Sequence, residues 1–489
     1  MRPFGWLEEQ GTPTPDTFNS DSMTPSGLPL YNPEADLSLF SNPAFRPTGL
    51  QRLGLVGVAV GVAACVVALA SGLGAAHPLA FGVTALLGLG GGGVLYALGG
   101  LAHPAGVRTE GTMVSSNEAR GAVGWAIGLA LTGLYVVLYF WPAGLAGLIP
   151  LADPLSRLLR DQPATLDNGG QWFLYTTLYT LAVAVMGVRA LVRYRHSRYH
   201  QLRTLSVVFF QTVIAFALPF FLVAIQQPEL YLHYTWPLDY DLFFPWKIAE
   251  LRAEGTLGVA MLIWGVVMIA VVTPVLTFFF GKRWYCSWVC GCGGLAETAG
   301  DPYRHLADTS TAAWKVERWM VHGILAVITA ATVLLGVAAV AEVGWLDAVA
   351  GTVGWIYGLL IGSIFAGVVG VGFYPIFGTR MWCRFGCPMA AILGLQQRFF
   401  SRFRITTNGG QCISCGQCSA YCEMGIDVKA YAQRGQNIVR ASCVGCGICA
   451  TVCPRGVLRL ENGADTSGAS RAGVPVNNLI LDLDILPDA

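Results

Sequence analysis

Charge is what this 489-residue chain has least of: 12% of its residues are Asp, Glu, Lys or Arg, 54% are hydrophobic, and mean hydropathy is +0.55. That balance excludes an ordinary water-soluble protein. Thirty basic and 29 acidic residues leave a net charge of +1, so there is no overall field to attract a polyanion and no nucleic-acid partner is expected. Histidine is scarce too, with seven in all. His322 alone sits within a long apolar run, near its end, while His77 and His103 flank one and His196, His200, His233 and His305 lie between runs. The pair at matched depth that bis-histidine haem ligation requires is missing. So is an early apolar core: residues 1–42 are polar and rich in Pro, Ser and Thr. The expectation is therefore that no leader is cleaved and that internal helices direct insertion.

What the chain has instead is a series of apolar runs of membrane length, about 20 residues each. They fall at 53–73, 78–101, 122–142, 172–192, 204–225, 258–280, 319–341 and 352–376. The expected fold is mostly α, a polytopic bundle of about eight spans in a lipid bilayer. Charge placement tests this count. With the first residues on the cytoplasmic side, the inside loops hold Arg108, Arg120, Arg193, Arg195, Arg198, Arg203, Lys282, Arg283, Arg304, Lys315 and Arg318. The outside loops hold only Arg157, Arg160, Lys247 and Arg252. This is the positive-inside bias, with both ends cytoplasmic. Gly90 to Gly93, in mid-run, read as a point of close helix approach. Between the fifth and sixth runs lies a loop dense in aromatics, from Tyr231 to Trp246. It suits an interfacial belt, and its His233, Asp239 and Asp241 supply groups able to exchange protons with a quinol headgroup.

Eight of the fourteen cysteines fall in two copies of one pattern: Cys412, Cys415, Cys418, Cys422 and Cys443, Cys446, Cys449, Cys453. Both read C-x2-C-x2-C-x3-C. Zinc is the competing reading, but zinc ribbons pair two C-x2-C units across a long loop, and the spacing also argues against disulfides. The pattern resembles the run that wraps [4Fe-4S] cubes in bacterial two-cluster ferredoxins, where each fourth cysteine crosses to the other cluster. Carried over, the resemblance implies one cluster on Cys412, Cys415, Cys418 and Cys453, and another on Cys443, Cys446, Cys449 and Cys422. Gly416, Gly445 and Gly447 suit the tight turns between ligands. One departure is Glu423 after Cys422, where such ferredoxins usually have proline. Thiolate ligands of this kind also call for a reducing compartment.

Five further cysteines sit at the ends of apolar runs, as Cys286, Cys290 and Cys292 after the sixth and Cys383 and Cys387 after the eighth. Two spans separate the C-x3-C pairs, so both meet one membrane face. If each pair lies on a helix, its sulfurs share a side. Such pairs can cage a metal or a third cluster, exchange disulfides, or simply pack as buried thiols. Lys282, Arg283, Arg380 and Arg384 nearby suit thiolate or an anionic cluster, or merely obey the positive-inside rule. Cys65, alone in the first run, reads as a packing residue.

Paired C-x3-C motifs, the second followed by Pro388, with a two-cluster ferredoxin module after them, resemble the NapH/NosR/CcoG-type membrane polyferredoxins over about residues 204–460. The resemblance implies a bacterial inner-membrane protein that passes electrons between the quinone pool and other redox subunits. Alternatives are a copper-reducing or dithiol-reducing assembly factor, or a relay and anchor subunit without its own substrate. Cys290 is followed by Gly291 instead of proline, and residues 1–203 have no counterpart. The expected organisation is an arm at 1–45, four spans within 46–203, a four-span core at 204–400, a small α+β dicluster ferredoxin domain at 401–461, and a tail at 462–489. The arm reads as a flexible tail or a segment that orders on a partner. The tail reads as a docking strand or a frayed end.

Overall fold

The computed structural model describes residues 47–103, 105–106, 122–232, 235–281, 283–341, 344–401, 403–438 and 440–462. The N-terminal arm and nearly all of the C-terminal tail lie outside the described residues, as do Arg108, Arg120, Lys282, His233 and Tyr234.

Among the described residues seven helices are long and apolar enough to cross a membrane: α1 Gly49–Ser71, α2 Pro78–Ala102, α4 Gly170–Arg193, α5 Arg198–Ala224, α6 Thr256–Phe280, α7 Thr311–Ala341 and α8 Gly351–Val369. The eighth expected span corresponds to α3, Ala122–Phe140, which is apolar but falls short by length over its described part. α3 packs on α8, with Tyr135 and Tyr139 beside Gly367. Local sequence explains the helix starts. Thr48 and Gln51 form a reciprocal capping box on α1, and the Ser310 hydroxyl accepts from the Ala313 N–H at 3.1 Å to open α7. α5 and α6 loosen into π-helical turns at Phe210–Ala217 and Met268–Val272, just before Pro219 and Pro274. A proline without an N–H, clashing with the preceding turn, accounts for both.

The glycines of α2 serve two neighbours. Gly88 and Gly92 let the backbone of α1 approach at Gly54, Gly57 and Gly61, whereas Gly90 and Gly93 meet Leu181 and Val185 of α4. Close approach at this run is thus confirmed. The outer surface of the bundle is greasy, with Val56, Leu87, Leu129 and Ile263 all exposed, as expected of side chains facing lipid.

The aromatic loop between α5 and α6 is more than a belt, because it folds back into the bundle. Trp236 donates to Thr332 of α7 at 3.3 Å. Tyr240 lies against Tyr357 with ring centroids 5.3 Å apart. Leu242 packs by Gly265, and Phe244 is fully buried.

After α8 the chain forms a short helix at Pro388–Phe400 and enters the small ferredoxin module. Strands β1 Phe403–Thr407 and β2 Leu458–Asn462 pair antiparallel, Phe403 opposite Asn462 and Thr407 opposite Leu458, and so bring the ends of the module together. The module shares one continuous hydrophobic core with the membrane-face cysteines, through residues such as Trp284, Cys286, Cys383, Met389, Leu393, Met424, Ile438 and Val444.

Candidate functional site

The two C-x3-C segments are copies of one local structure. Each opens on a glycine of positive φ, Gly281 (58°) and Gly378 (87°), followed two residues later by an arginine, Arg283 or Arg380. A short helical turn then carries the first cysteine, Cys286 in Trp284–Trp288 and Cys383 in Trp382–Gly386. The second cysteine is extended, Cys290 at φ −65°, ψ 131° and Cys387 at φ −80°, ψ 114°, and a new helix starts after it. The expectation that each pair lies on one helical face is therefore corrected. Pro388 disfavours helical geometry at Cys387, and Gly291, a poor helix residue, stands in its place in the first copy.

The copies are tied by crossed arginines. Arg283 donates to the Cys383 carbonyl oxygen at 3.0 Å, and Arg380 donates to the Cys286 carbonyl oxygen at 3.2 Å. Cys286, Cys290, Cys383 and Cys387 are buried together in the shared core, with Cys292 packed beside them. Gly293 makes this fit possible: a Cβ there would lie 1.9 Å from the Cys286 oxygen. Burial, then the neighbouring Cys383 and Cys290 sulfurs, push the Cys286 thiol up. Cys290 goes the other way, to about 7, chiefly because the Cys292 thiol donates to it. Among the described residues no three His, Cys, Asp or Glu side chains are spaced to hold a single metal ion. The same is true of the eight ferredoxin cysteines, and a cubane, with four separate iron corners, asks for wider spacing than one ion does.

Those eight cysteines sort into two cavities. One, about 360 Å³ of empty space including its mouth, is lined by Cys412, Cys415, Cys418 and Cys453. The other, about 330 Å³, is lined by Cys422, Cys443, Cys446 and Cys449. The fourth cysteine of each run thus lines the other run's cavity, the grouping that the ferredoxin resemblance implies. Gly416 (φ 80°) and Gly447 (φ 78°) each sit where the chain turns left-handed into the helix carrying the third cysteine. The cavities differ in setting. All twelve residues around the second are buried, whereas Ile413, Ser414, Cys415, Pro454 and Arg455 around the first are exposed.

The buried cavity faces the membrane core. Its loop is held by Tyr199 of α5, which donates to the Gly445 oxygen at 2.7 Å, and by Ser287, which donates to the Val444 oxygen. Arg283 reaches the Ala441 oxygen at 3.1 Å, and Gln397 donates to the Arg440 oxygen at 2.6 Å.

Beneath it runs an ion network that sequence reasoning did not find. Arg304 binds Asp301 at 2.9 Å, Glu423 at 2.8 Å and Glu297 at 2.5 Å. Arg380 binds Glu297 at 2.5 Å and meets Glu423 at 3.1 Å, a contact whose angle is not that of a hydrogen bond. Arg203 also binds Glu297, and Arg189 and Arg193 bind Asp301. Despite burial, the arginines hold the Glu297 and Asp301 carboxyls well below the usual range. Five guanidiniums thus face three carboxylates, and Nε and Nη1 of Arg203 and Nε of Arg380 are buried without a hydrogen-bond partner. Cubanes carried by four thiolates are anionic, so guanidiniums outnumbering carboxylates beside thiol-lined cavities, three of them buried, fit that cofactor. The available signals were acids and arginines crowded into an otherwise apolar chain at 283–304, and Glu423 in place of proline.

Of the loop candidates, Asp239 and Asp241 hydrogen-bond to each other, and burial first, then Asp241, raises the Asp239 carboxyl to about 7. Cys65 is apart from the other cysteines, on α1.

The site and fold together define a helical membrane protein with a 4Fe-4S ferredoxin module at its C-terminal end. Comparison agrees: the 4Fe-4S dicluster domain matches residues 411–458, and a 4Fe-4S binding domain matches twice, at 262–307 and 358–406, over the two C-x3-C copies. The Escherichia coli (strain K12) protein named "Putative electron transport protein YccM" is 24% identical over 188 residues, covering 34% of this chain and 48% of that protein. The chain therefore spans about half the length of this curated relative. No solved structure matches. The matches support an iron-sulfur electron-transfer role.

Proposed function

We propose that this protein relays single electrons between the membrane quinone pool and a partner redox protein through two [4Fe-4S] clusters. The observation that carries the reading is the sorting of eight cysteines into an exposed and a buried cavity, the buried one stacked on the membrane-face thiols. Cys412, Cys415, Cys418 and Cys453 would hold the outer cluster, and Cys443, Cys446, Cys449 and Cys422 the inner one. When bound, cubanes take up and release one electron at a time. Around them the chain excludes water from the inner site, opens the outer site toward a partner, and supplies positive charge that favours the reduced state. Cys286, Cys290, Cys383 and Cys387, clamped by crossed arginines, would hold a third centre. The architecture is of the NapH/NosR/CcoG type, in a bacterial inner membrane with the ferredoxin module cytoplasmic.

The quinone step is supported by the re-entrant loop. Burial and a hydrogen bond to Asp241 raise the Asp239 carboxyl to about 7, and the adjacent Tyr240 packs at a tilt against Tyr357, ring centroids 5.3 Å apart. The acid pair would accept protons while electrons pass to the thiol-lined centre.

One observation favours a second reading. Cys290, held near 7 by Cys292, is what a dithiol-exchange or copper-reducing assembly factor would use. The experiment is anaerobic iron and sulfide quantification on the purified protein, with EPR during quinol titration. About eight irons and signals that grow with quinol agree with two clusters fed from the membrane. A count near twelve adds the third centre. Clusters reducible by dithionite but indifferent to quinol refute the quinone step, and stoichiometric copper binding at the thiols supports the second reading.

A further inference from the structure

We infer that Glu423, through Arg380 and Arg304, is a positioning residue that joins the inner ferredoxin cluster to the membrane thiol centre and sets that cluster's potential. The inference rests on the cluster assignment proposed above and goes beyond it. Glu423 follows the crossing ligand Cys422 directly, lines the inner cavity, and is fully buried. Its partners belong to the other side of the joint: Arg304 from the loop after the first C-x3-C copy, and Arg380 from within the second.

Arg380 is the element common to both centres. Besides meeting Glu423, it donates to the Cys286 carbonyl oxygen and lies 3.8 Å from the Cys383 Sγ. One guanidinium therefore touches both C-x3-C copies and the ferredoxin module. A proline at position 423, as two-cluster ferredoxins usually carry, has no group to offer these arginines. The carboxylate adds a buried ionic tie to the hydrogen bonds and apolar core that dock the module, within one residue of the crossing cysteine. Its negative charge opposes reduction of the inner cluster, while the arginines it partly neutralises favour it.

Removing only the charge separates this role from simple stabilisation. Glu423→Gln, in the full chain purified anaerobically, is expected to keep its iron and sulfide but to shift the inner cluster's midpoint to more positive values. The outer cluster should not move, and magnetic coupling between inner and membrane centres in EPR should weaken. Glu423→Asp, which keeps the charge, should restore the wild-type midpoint. If Glu423→Gln does not accumulate, Arg304→Gln is read with the opposite sign, since removing a positive charge beside the inner cluster should shift its midpoint to more negative values. Retained iron with both midpoints and the coupling unchanged overturns the inference. Absence of clusters from the wild-type protein would overturn the assignment beneath it, and would be seen before any variant is made.

Discussion

Replacing Arg304 with methionine tests whether the buried network holds the ferredoxin module to the membrane core. Arg304 is about 1% exposed and bridges three carboxylates. Breaking a buried pair by removing one partner costs about 3–5 kcal/mol, because a charge is left uncompensated. Here the loss should sit at the lower end. Glu297 keeps Arg203 and Arg380, and Asp301 keeps Arg189 and Arg193, so only Glu423 is left with a single, poorly angled partner. About 3 kcal/mol is roughly two decades in the equilibrium for opening the joint. Limited proteolysis of the loop around residues 306–310, quantified against urea, reads that opening. Arg157→Ala is the control: its side chain is 63% exposed in a helical i,i+4 pair with Asp153, so it should cost under about 0.5 kcal/mol. A cost for Arg304→Met below about 1 kcal/mol would refute the reasoning. The double variant Arg304→Met, Glu423→Met should recover much of the loss, since a buried pair replaced by apolar groups is often neutral.

Further outcomes follow from the same geometry. Glu297 and Asp301 have depressed carboxyl pKa values, so their contribution is complete above the ordinary carboxylate range and is lost as pH falls below about 4; acid titration of the same proteolysis signal checks this. Asp239 has the opposite sign: its carboxyl, raised to about 7, stabilises the fold at low pH and progressively less as pH rises from about 4 to 7. Asp239→Asn should flatten that slope in thermal unfolding and, on the proposed function, slow quinol-driven reduction severalfold. Cys446→Ser should remove the inner cluster's EPR signal and Cys415→Ser the outer one, each with about half of the ferredoxin iron. Tyr199→Phe removes one buried hydrogen bond to the Gly445 oxygen and should loosen the module by about 1 kcal/mol. Gly293→Ala, with no room for a Cβ against Cys286, should disrupt the membrane thiol centre while leaving both ferredoxin signals.

Much of this was legible in one dimension because the governing constraints are local. A bilayer demands about 20 consecutive apolar residues, and the runs show it; only α3 falls short of the count. The eight-cysteine motif announces itself because each copy returns three thiols within seven residues, and the crossing of Cys422 and Cys453 is what its resemblance to two-cluster ferredoxins implies. Glycines at 416 and 447 are likewise demanded by backbone angles at single positions.

What the tertiary structure alone decided are relations between distant segments. No spacing rule says that the second cysteine of each C-x3-C pair turns extended, that Arg283 and Arg380 cross to each other's copy, or that a loop after α5 folds back to set Tyr240 on Tyr357. The buried network joins residues 189, 193, 203, 297, 301, 304, 380 and 423. Apart from Glu423, which stands out in the sequence after Cys422, each of these looks like an ordinary charge at or near a membrane edge. Pairing energies depend on distance and burial in three dimensions, and those are properties of the packed chain alone.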